Sequence, residues 1–119
     1  MRDYHRLEIW RRAHALAIAV HSEARTFRGN QCSALRSQLT RAADSVAATI
    51  VEGCGAATPR EFARFLDMSI KSASEVEYHL LSARDRGLLS ADRWQCLSDE
   101  IVQIRRMTFV YRRRLLRDA

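Results

Sequence analysis

The segment Gln38–Leu81, QLTRAADSVAATIVEGCGAATPREFARFLDMSIKSASEVEYHLL, permits few folds. Leu39, Ala42, Ala43, Val46, Ala47, Ile50 and Val51 recur at the three-and-four spacing of one helix face. That pattern stops at Gly53-Cys54-Gly55, and a second opens at Thr58-Pro59-Arg60-Glu61. Thr58 is a helix cap, Pro59 fills the first helical position where a missing N–H costs nothing, and Glu61 is placed to close a capping box. Phe62, Phe65, Leu66, Ile70, Ala73, Val76 and Leu80 then line one face. The result is a helical hairpin with small residues inside, which flanking helices must complete.

Those helices are legible on either side. Residues 4 to about 25 form the first, with one stripe of Ile9, Ala13, Leu16, Val20 and Ala24. A second stripe beside it carries Leu7, Trp10, His14, Ala17 and His21. A loop at Thr26–Asn30 leads to the second helix, expected from Cys32 or Ser33 to about Glu52. The third spans Pro59 to Arg86 and ends at Gly87, a residue suited to a left-handed C-terminal position. Leu88 and Leu89 plug the end, and Ser90 caps the fourth helix with Asp92 in its first turn. There Trp94, Leu97, Ile101, Ile104, Thr108, Tyr111 and Leu115 form a heptad seam. Short loops between long helices predict an all-α, up-down-up-down four-helix bundle over residues 1–119 as one domain. Val102, Phe109 and Leu116 make an extra stripe at intervals of seven. Together with Trp10 and His14 they are the expected interface of a homo-oligomer; the competing reading is a wider core-facing face.

Composition agrees with helices: one proline, four glycines and 47% apolar residues leave no strand pattern or low-complexity segment. Cys32, Cys54 and Cys96 are odd in number and contain no C-x-x-C pair, which argues against a disulfide framework or zinc ribbon and fits a reducing cytosol. The charged start MRDYHRLEIWRRAH lacks an apolar signal core, and no run approaches the ~20 apolar residues of a membrane span. A soluble, cytoplasmic protein is expected. The formal net charge is +6, and Lys71 is the only lysine. A GC-rich genome accounts for arginine over lysine, but the excess of positive charge points to a polyanionic partner.

The predicted topology gathers that charge. The start of the first helix, the second loop and the end of the fourth helix share one end. Arg2, Arg6, Arg11 and Arg12 meet Arg112, Arg113, Arg114 and Arg117 there, with Arg60 and Arg64 opening the third helix. The candidate nucleic-acid-binding residues are Arg11, Arg12, Arg60, Arg64, Arg112, Arg113 and Arg114. Backbone N–H groups of the Gly53–Thr58 loop can meet a phosphate at the same pole. Contact of this kind is sequence-nonspecific and salt-sensitive; the plainer reading is a solvated pole partly neutralised by Asp3, Glu8, Glu61 and Asp118.

Catalytic constellations are absent from the pattern. Glu52 sits at the negative end of a helix dipole, a cost of ~0.3–1 kcal/mol, so an arginine partner is expected, Arg60 or Arg64. Glu52, Gly53 and Thr58 therefore read as structural. His14 and His21 stand two turns apart, beyond metal-helix spacing, and His79 reads as a surface partner of Glu75. Ser69, Ser72 and Ser74 let helices approach closely. Cys54 lies beside arginines, which favours a lowered pKa, but it has no paired base. No Walker loop or nucleophile elbow occurs. No enzyme activity, cofactor, metal or small-molecule substrate is expected.

The stretches LEIWRRAHALA, QLTRAADSVAATIVEGCG and REFARFLDMSIKSASEVEYHL, with GLL after them, resemble the four-helix-bundle family of 23S rRNA intervening-sequence proteins. Its most specific parts here are Ser45 with Glu52-Gly53, and Glu61-Phe62 with Arg64-Phe65-Leu66. The resemblance implies bundles that associate into five-membered rings. Its distant relatives, the accessory variability determinant proteins of diversity-generating retroelements, are basic rings that bind nucleic acid and a reverse transcriptase. The chain departs from the family pattern at Thr49, where Asn is usual, at Ala56-Ala57, where Arg is common, and at Lys71, where Gly is frequent. The leading expectation is a homopentameric ring offering clustered arginines to RNA or DNA. The alternative is a protein–protein interaction scaffold with no nucleic-acid role.

Overall fold

The computed structural model describes residues 2–119. Four helices account for most of them: α1 Glu8–Ala24, α2 Ser33–Cys54, α3 Pro59–Asp85 and α4 Ala91–Arg117. Short 3₁₀ turns at Tyr4–Arg6 and Asn30–Cys32 precede α1 and α2, and the described residues contain no strand. Each helix packs on its neighbour in sequence and α1 closes against α4, giving a rod of 48 × 21 × 20 Å. The core follows the anticipated stripes, with Val20, Leu39, Ile50, Leu66, Val76, Ile101 and Ile104 fully buried.

Helix ends obey local chemistry where that chemistry is complete. The Thr58 hydroxyl accepts from the Glu61 N–H at 3.1 Å, and Pro59 opens α3. The reciprocal bond from the Glu61 side chain is not formed, so half of the capping box is present. Ser90 caps α4 through the Arg93 N–H at 3.2 Å. Gly87 adopts φ +76°, letting its N–H reach Arg84 O at 3.0 Å while Leu88 N–H reaches Ala83 O at 2.9 Å. These two bonds form a Schellman motif. At the end of α1 the Arg36 guanidinium takes over, donating to Ala24 O at 3.0 Å and Phe27 O at 2.5 Å.

Two boundaries differ from expectation. The first helix begins at Glu8, not residue 4, because Leu7 is extended (φ −87°, ψ 122°). A separate 3₁₀ turn capped by Asp3, which accepts from His5 N–H at 3.0 Å, precedes it, and the Arg2 N–H donates to Cys54 O at 3.0 Å, so this segment straps the bundle end instead of continuing α1. The second helix does not stop before Gly53 but runs through it to Cys54. Gly53 is needed for proximity: a Cβ there would lie 2.6 and 2.9 Å from two Phe62 ring carbons and 3.1 Å from Phe65 Cβ.

The α2–α3 seam is close for the same reason along its length. Ser45 and Ser72 hydroxyls lie 2.9 Å apart, and buried Ser69 donates to Val46 O at 2.8 Å. Buried Thr49 donates to Ser45 O one turn back at 2.7 Å. Ser45, Thr49 and Gly53 follow one another at steps of four and present small groups to α3. Ser74 is different, being exposed and turned to α4, where Arg105 donates to it at 3.4 Å.

Candidate nucleic-acid interface

The antiparallel order places the starts of α1 and α3 with the ends of α2 and α4. Arg2 pins this pole: besides its bond to Cys54, Nη1 donates to the Tyr111 hydroxyl at 2.7 Å. Its guanidinium lies 5.5 Å from the Phe62 ring centre and 5.9 Å from that of Tyr111. The two rings are 5.7 Å apart, so the guanidinium joins α3 to α4 while the backbone N–H of the same residue holds α2.

Of the seven arginines anticipated from sequence, the structure divides those held by protein from those facing water. Arg12 is fixed by both oxygens of Glu100, at 2.8 and 2.6 Å. That carboxylate lies in the first half of α4, so Arg12 stands along the α1–α4 seam away from the pole. The pair raises the Arg12 pKa, chiefly through the hydrogen bond. Arg11 donates to Glu8 at 2.9 Å and to His5 O at 2.9 Å. Half-buried Arg112 donates to Ala63 O at 3.2 Å. Arg60, Arg64, Arg113 and Arg114 are exposed and form no ion pair among the described residues. Arg6, which the sequence places at the pole, and Arg106, which it does not, share that condition, as do Arg25, Arg28 and Arg86 at the opposite end of the bundle; Arg106 was not a candidate because no local motif marks it. Arg105, beside Arg106, is taken by Glu77 at 2.6 Å.

The expected pairing of Glu52 does not occur. Glu52 is exposed and makes no ion pair among the described residues. The positions of α3 that face α2 belong to Phe62 and Phe65, which press on Gly53; Arg60 and Arg64 flank them on the solvent side. The loop also offers fewer N–H groups than anticipated, because Gly55 N–H bonds Glu52 O at 3.1 Å and Ala56 N–H bonds Gly53 O at 3.0 Å. Cys54 is buried as the last residue of α2. Burial pushes its thiol pKa up, outweighing the opposing charge of Arg2, which reverses the expected lowering.

The histidines have partners. His14 stacks on Trp10 with ring centres 5.0 Å apart and planes 8° off parallel, and Tyr4 meets Trp10 edge-on at 4.8 Å. His21 lies 2.9 Å from Asp44 of α2. His79 is not a surface residue: 13% of its side chain is exposed, 4.0 Å from Glu75, and burial lowers its pKa. The described residues contain no group of three or more His, Cys, Asp or Glu able to hold a metal. No helix among them is long and apolar enough to cross a membrane.

The residues anticipated as an oligomer interface fall into two patches. Trp10 and His14 share the face of α1 whose next member, His21, touches α2. Phe109, 51% exposed, borders a trough that it shares with Ile70 of α3, and Leu116, 40% exposed, follows on that stripe. Val102 is half-buried on it. The patches therefore lie on opposite sides of the bundle. Ile18 on α1, 59% exposed, is a further apolar residue that the stripes did not include.

The chain matches the family model for the 23S rRNA-intervening sequence protein over residues 5–109. A crystal structure of a protein with unknown function from the S23 ribosomal protein family of Bacteroides thetaiotaomicron superposes with a TM-score of 0.81 at 17% identity, covering 87% of this chain and 96% of that one. At that identity the likeness speaks for the fold. No curated protein matches the chain. With the match spanning all but the chain's ends, this protein belongs to the 23S rRNA-intervening sequence protein family.

Proposed function

We propose that the protein is a non-enzymatic, cytoplasmic scaffold that closes into a ring and holds RNA or DNA by its backbone. The observation that carries this reading is the set Arg60, Arg64, Arg113 and Arg114, exposed at one pole without carboxylate partners. A cation already tied to a carboxylate gains little from a phosphate, whereas a free guanidinium forks onto one directly. Arg6 and Arg106 extend the same surface. Arg11, Arg12 and Arg112 serve the fold. Contacts of this type go to phosphate and carry no base information.

Assembly follows from the two apolar patches. Unlike faces on opposite sides of a protomer join head to tail, and such contacts close into rings when the rotation permits. The patch on α3–α4 is flanked by arginines, while Glu52 on α2 carries a free carboxylate for the neighbouring copy. Five copies are expected from the family resemblance. A ring repeats a weak phosphate surface and so raises avidity without new contacts. Fluorescence anisotropy of a labelled single-stranded RNA tests the assignment. Exchanging Arg60, Arg64, Arg113 and Arg114 for glutamine abolishes binding, whereas Arg11→Gln leaves it within twofold. Equal loss from both variants, or none from either, refutes the division between free and paired arginines.

A further inference from the structure

The face between α1 and α4 has a use that the phosphate surface does not explain. α4 has 27 residues and α1 only 17, so the C-terminal turns of α4 extend past the start of α1. The strap at Tyr4–Arg6 covers them incompletely. What remains is an open trough of about 500 Å³ floored by Leu7, Ile9, Met107, Val110 and Tyr111. Arg6, Arg106 and Arg114 stand on its rim, all exposed and without ion pairs among the described residues. Its one rim carboxylate, Glu8, is engaged by Arg11. Arg12, bound to Glu100, lies with Nη1 3.0 Å from the Sδ of Met107, a floor residue.

We infer that the α1–α4 trough is a docking groove for an acidic amphipathic helix of a partner protein. The floor is mostly aliphatic, with Leu7, Ile9, Met107 and Val110 beside the single ring of Tyr111, which favours the apolar stripe of a helix over a row of stacked bases. An open trough covers one side of a ligand, whereas small-molecule sites enclose 70–90% or more of theirs, on the order of a closed pocket. A helix laid lengthwise fills it with anchors at i, i+3, i+4 and i+7. The three unpaired arginines set the charge of its flanks, because carboxylates there meet free guanidinium groups on both sides. A second copy of the chain does not supply such a helix. Phe109 and Leu116 stand among Arg105, Arg106, Arg112 and Arg113, Met68 is one turn from Arg64, and Ile18 lies between His14 and Ser22. Tyr78 is one turn from Glu75, but Arg41 lies 3.7 Å from that carboxylate. The groove shares Arg6, Arg106 and Arg114 with the proposed phosphate surface, and Val110→Glu separates the two readings because it alters the apolar floor and leaves those arginines in place.

Two fluorescent helical peptides test it on the full chain: one with a leucine stripe flanked by glutamates, and its counterpart with lysines in place of the glutamates. The acidic peptide is expected to bind, and the lysine peptide at least tenfold more weakly. Val110→Glu, which fills the floor with charge at a half-buried position, and the double change Arg106→Glu with Arg114→Glu each weaken the acidic peptide at least tenfold. Circular dichroism confirms that both variants fold, and the rim variant decides alone if Val110→Glu does not. Equal affinity for the two peptides, no binding of either, or a change of assembly mass in the rim variant overturns the proposal. The last outcome assigns the groove to a second copy. Equal affinity of wild type and Val110→Glu for a labelled single-stranded RNA supports an apolar floor used by the helix alone, while loss of RNA binding on Val110→Glu overturns it.

Discussion

Gly53→Ala is the sharpest test of how α2 and α3 meet. An added methyl at Gly53 lands 2.6 Å from Phe62 Cδ1 and 2.9 Å from Cε1, closer than carbon atoms approach without repulsion. Phe62 cannot easily yield: it is 4% exposed, its ring rests against Tyr111 at 5.7 Å, and Arg2 sits over it at 5.5 Å. The third neighbour, Phe65 Cβ at 3.1 Å, belongs to the root of its side chain and moves only with α3. Overpacking of this kind costs about 2–3 kcal/mol. Replacing a helical glycine by alanine returns about 1 kcal/mol through propensity. The net loss is about 1–2 kcal/mol, or roughly 4–8 °C in Tm for a domain of this size. Thermal unfolding by circular dichroism, with both proteins at the same concentration, measures it, since the Tm of any self-associating protein depends on concentration. Phe62→Leu in the Gly53→Ala background should recover most of the loss, giving a coupling that a double-mutant cycle isolates. A Gly53→Ala protein as stable as wild type, or more stable, refutes the close approach.

Three further perturbations probe other parts of the molecule. Glu100→Ala strands the Arg12 guanidinium in the α1–α4 seam and should cost about 1 kcal/mol in urea unfolding, a value moderated by partial exposure, while Glu8→Ala, which frees only exposed Arg11, should cost about 0.3 kcal/mol. His79 has its pKa lowered from 6.5 by burial, so the unfolded chain binds the proton more readily. Its contribution is complete above pH 6.5 and is lost as pH falls through the lower folded value; His79→Gln should flatten that part of a stability–pH curve measured by urea unfolding. On the proposed ring, wild type scatters light as a multiple of 13.7 kDa and Phe109→Glu together with Leu116→Glu as 13.7 kDa; a monomeric wild type refutes the ring, and an unchanged multiple takes those residues out of the proposed interface.

The parts of this fold that sequence reveals are those decided within a few residues. Thr58-Pro59, Gly87 and Ser90 fix helix ends by bonds to neighbours three to five positions away, and the apolar stripes locate the core. The start of α1 is not of this kind. Tyr4, Leu7 and Trp10 keep helical spacing, yet Asp3 caps a separate turn at Tyr4–Arg6 and the segment is tied by the distant bond of Arg2 to Cys54, which spacing does not reveal. The basic pole was legible as a charge cluster, but its usable cations were not. Glu8 stands three residues from Arg11 and was readable as a partner, whereas Glu100 stands 88 positions from Arg12. Glu52 was expected to meet the arginines that open the next helix, yet Phe62 and Phe65 beside them took the facing positions. Gly53 is marked in the sequence as a helix stop, while its structural task is to admit a phenylalanine ring.

Whether unpaired arginines hold nucleic acid is tested most directly by titrating a labelled single-stranded RNA against the protein at rising salt. Each phosphate neutralised adds about 0.7 to the slope of log affinity against log salt. With Arg60, Arg64, Arg113 and Arg114 engaged, a slope near −3 per protomer contact is predicted, steeper if Arg6 and Arg106 join, and near zero once the four are glutamine. No binding at low salt, or an affinity that salt leaves unchanged, contradicts it.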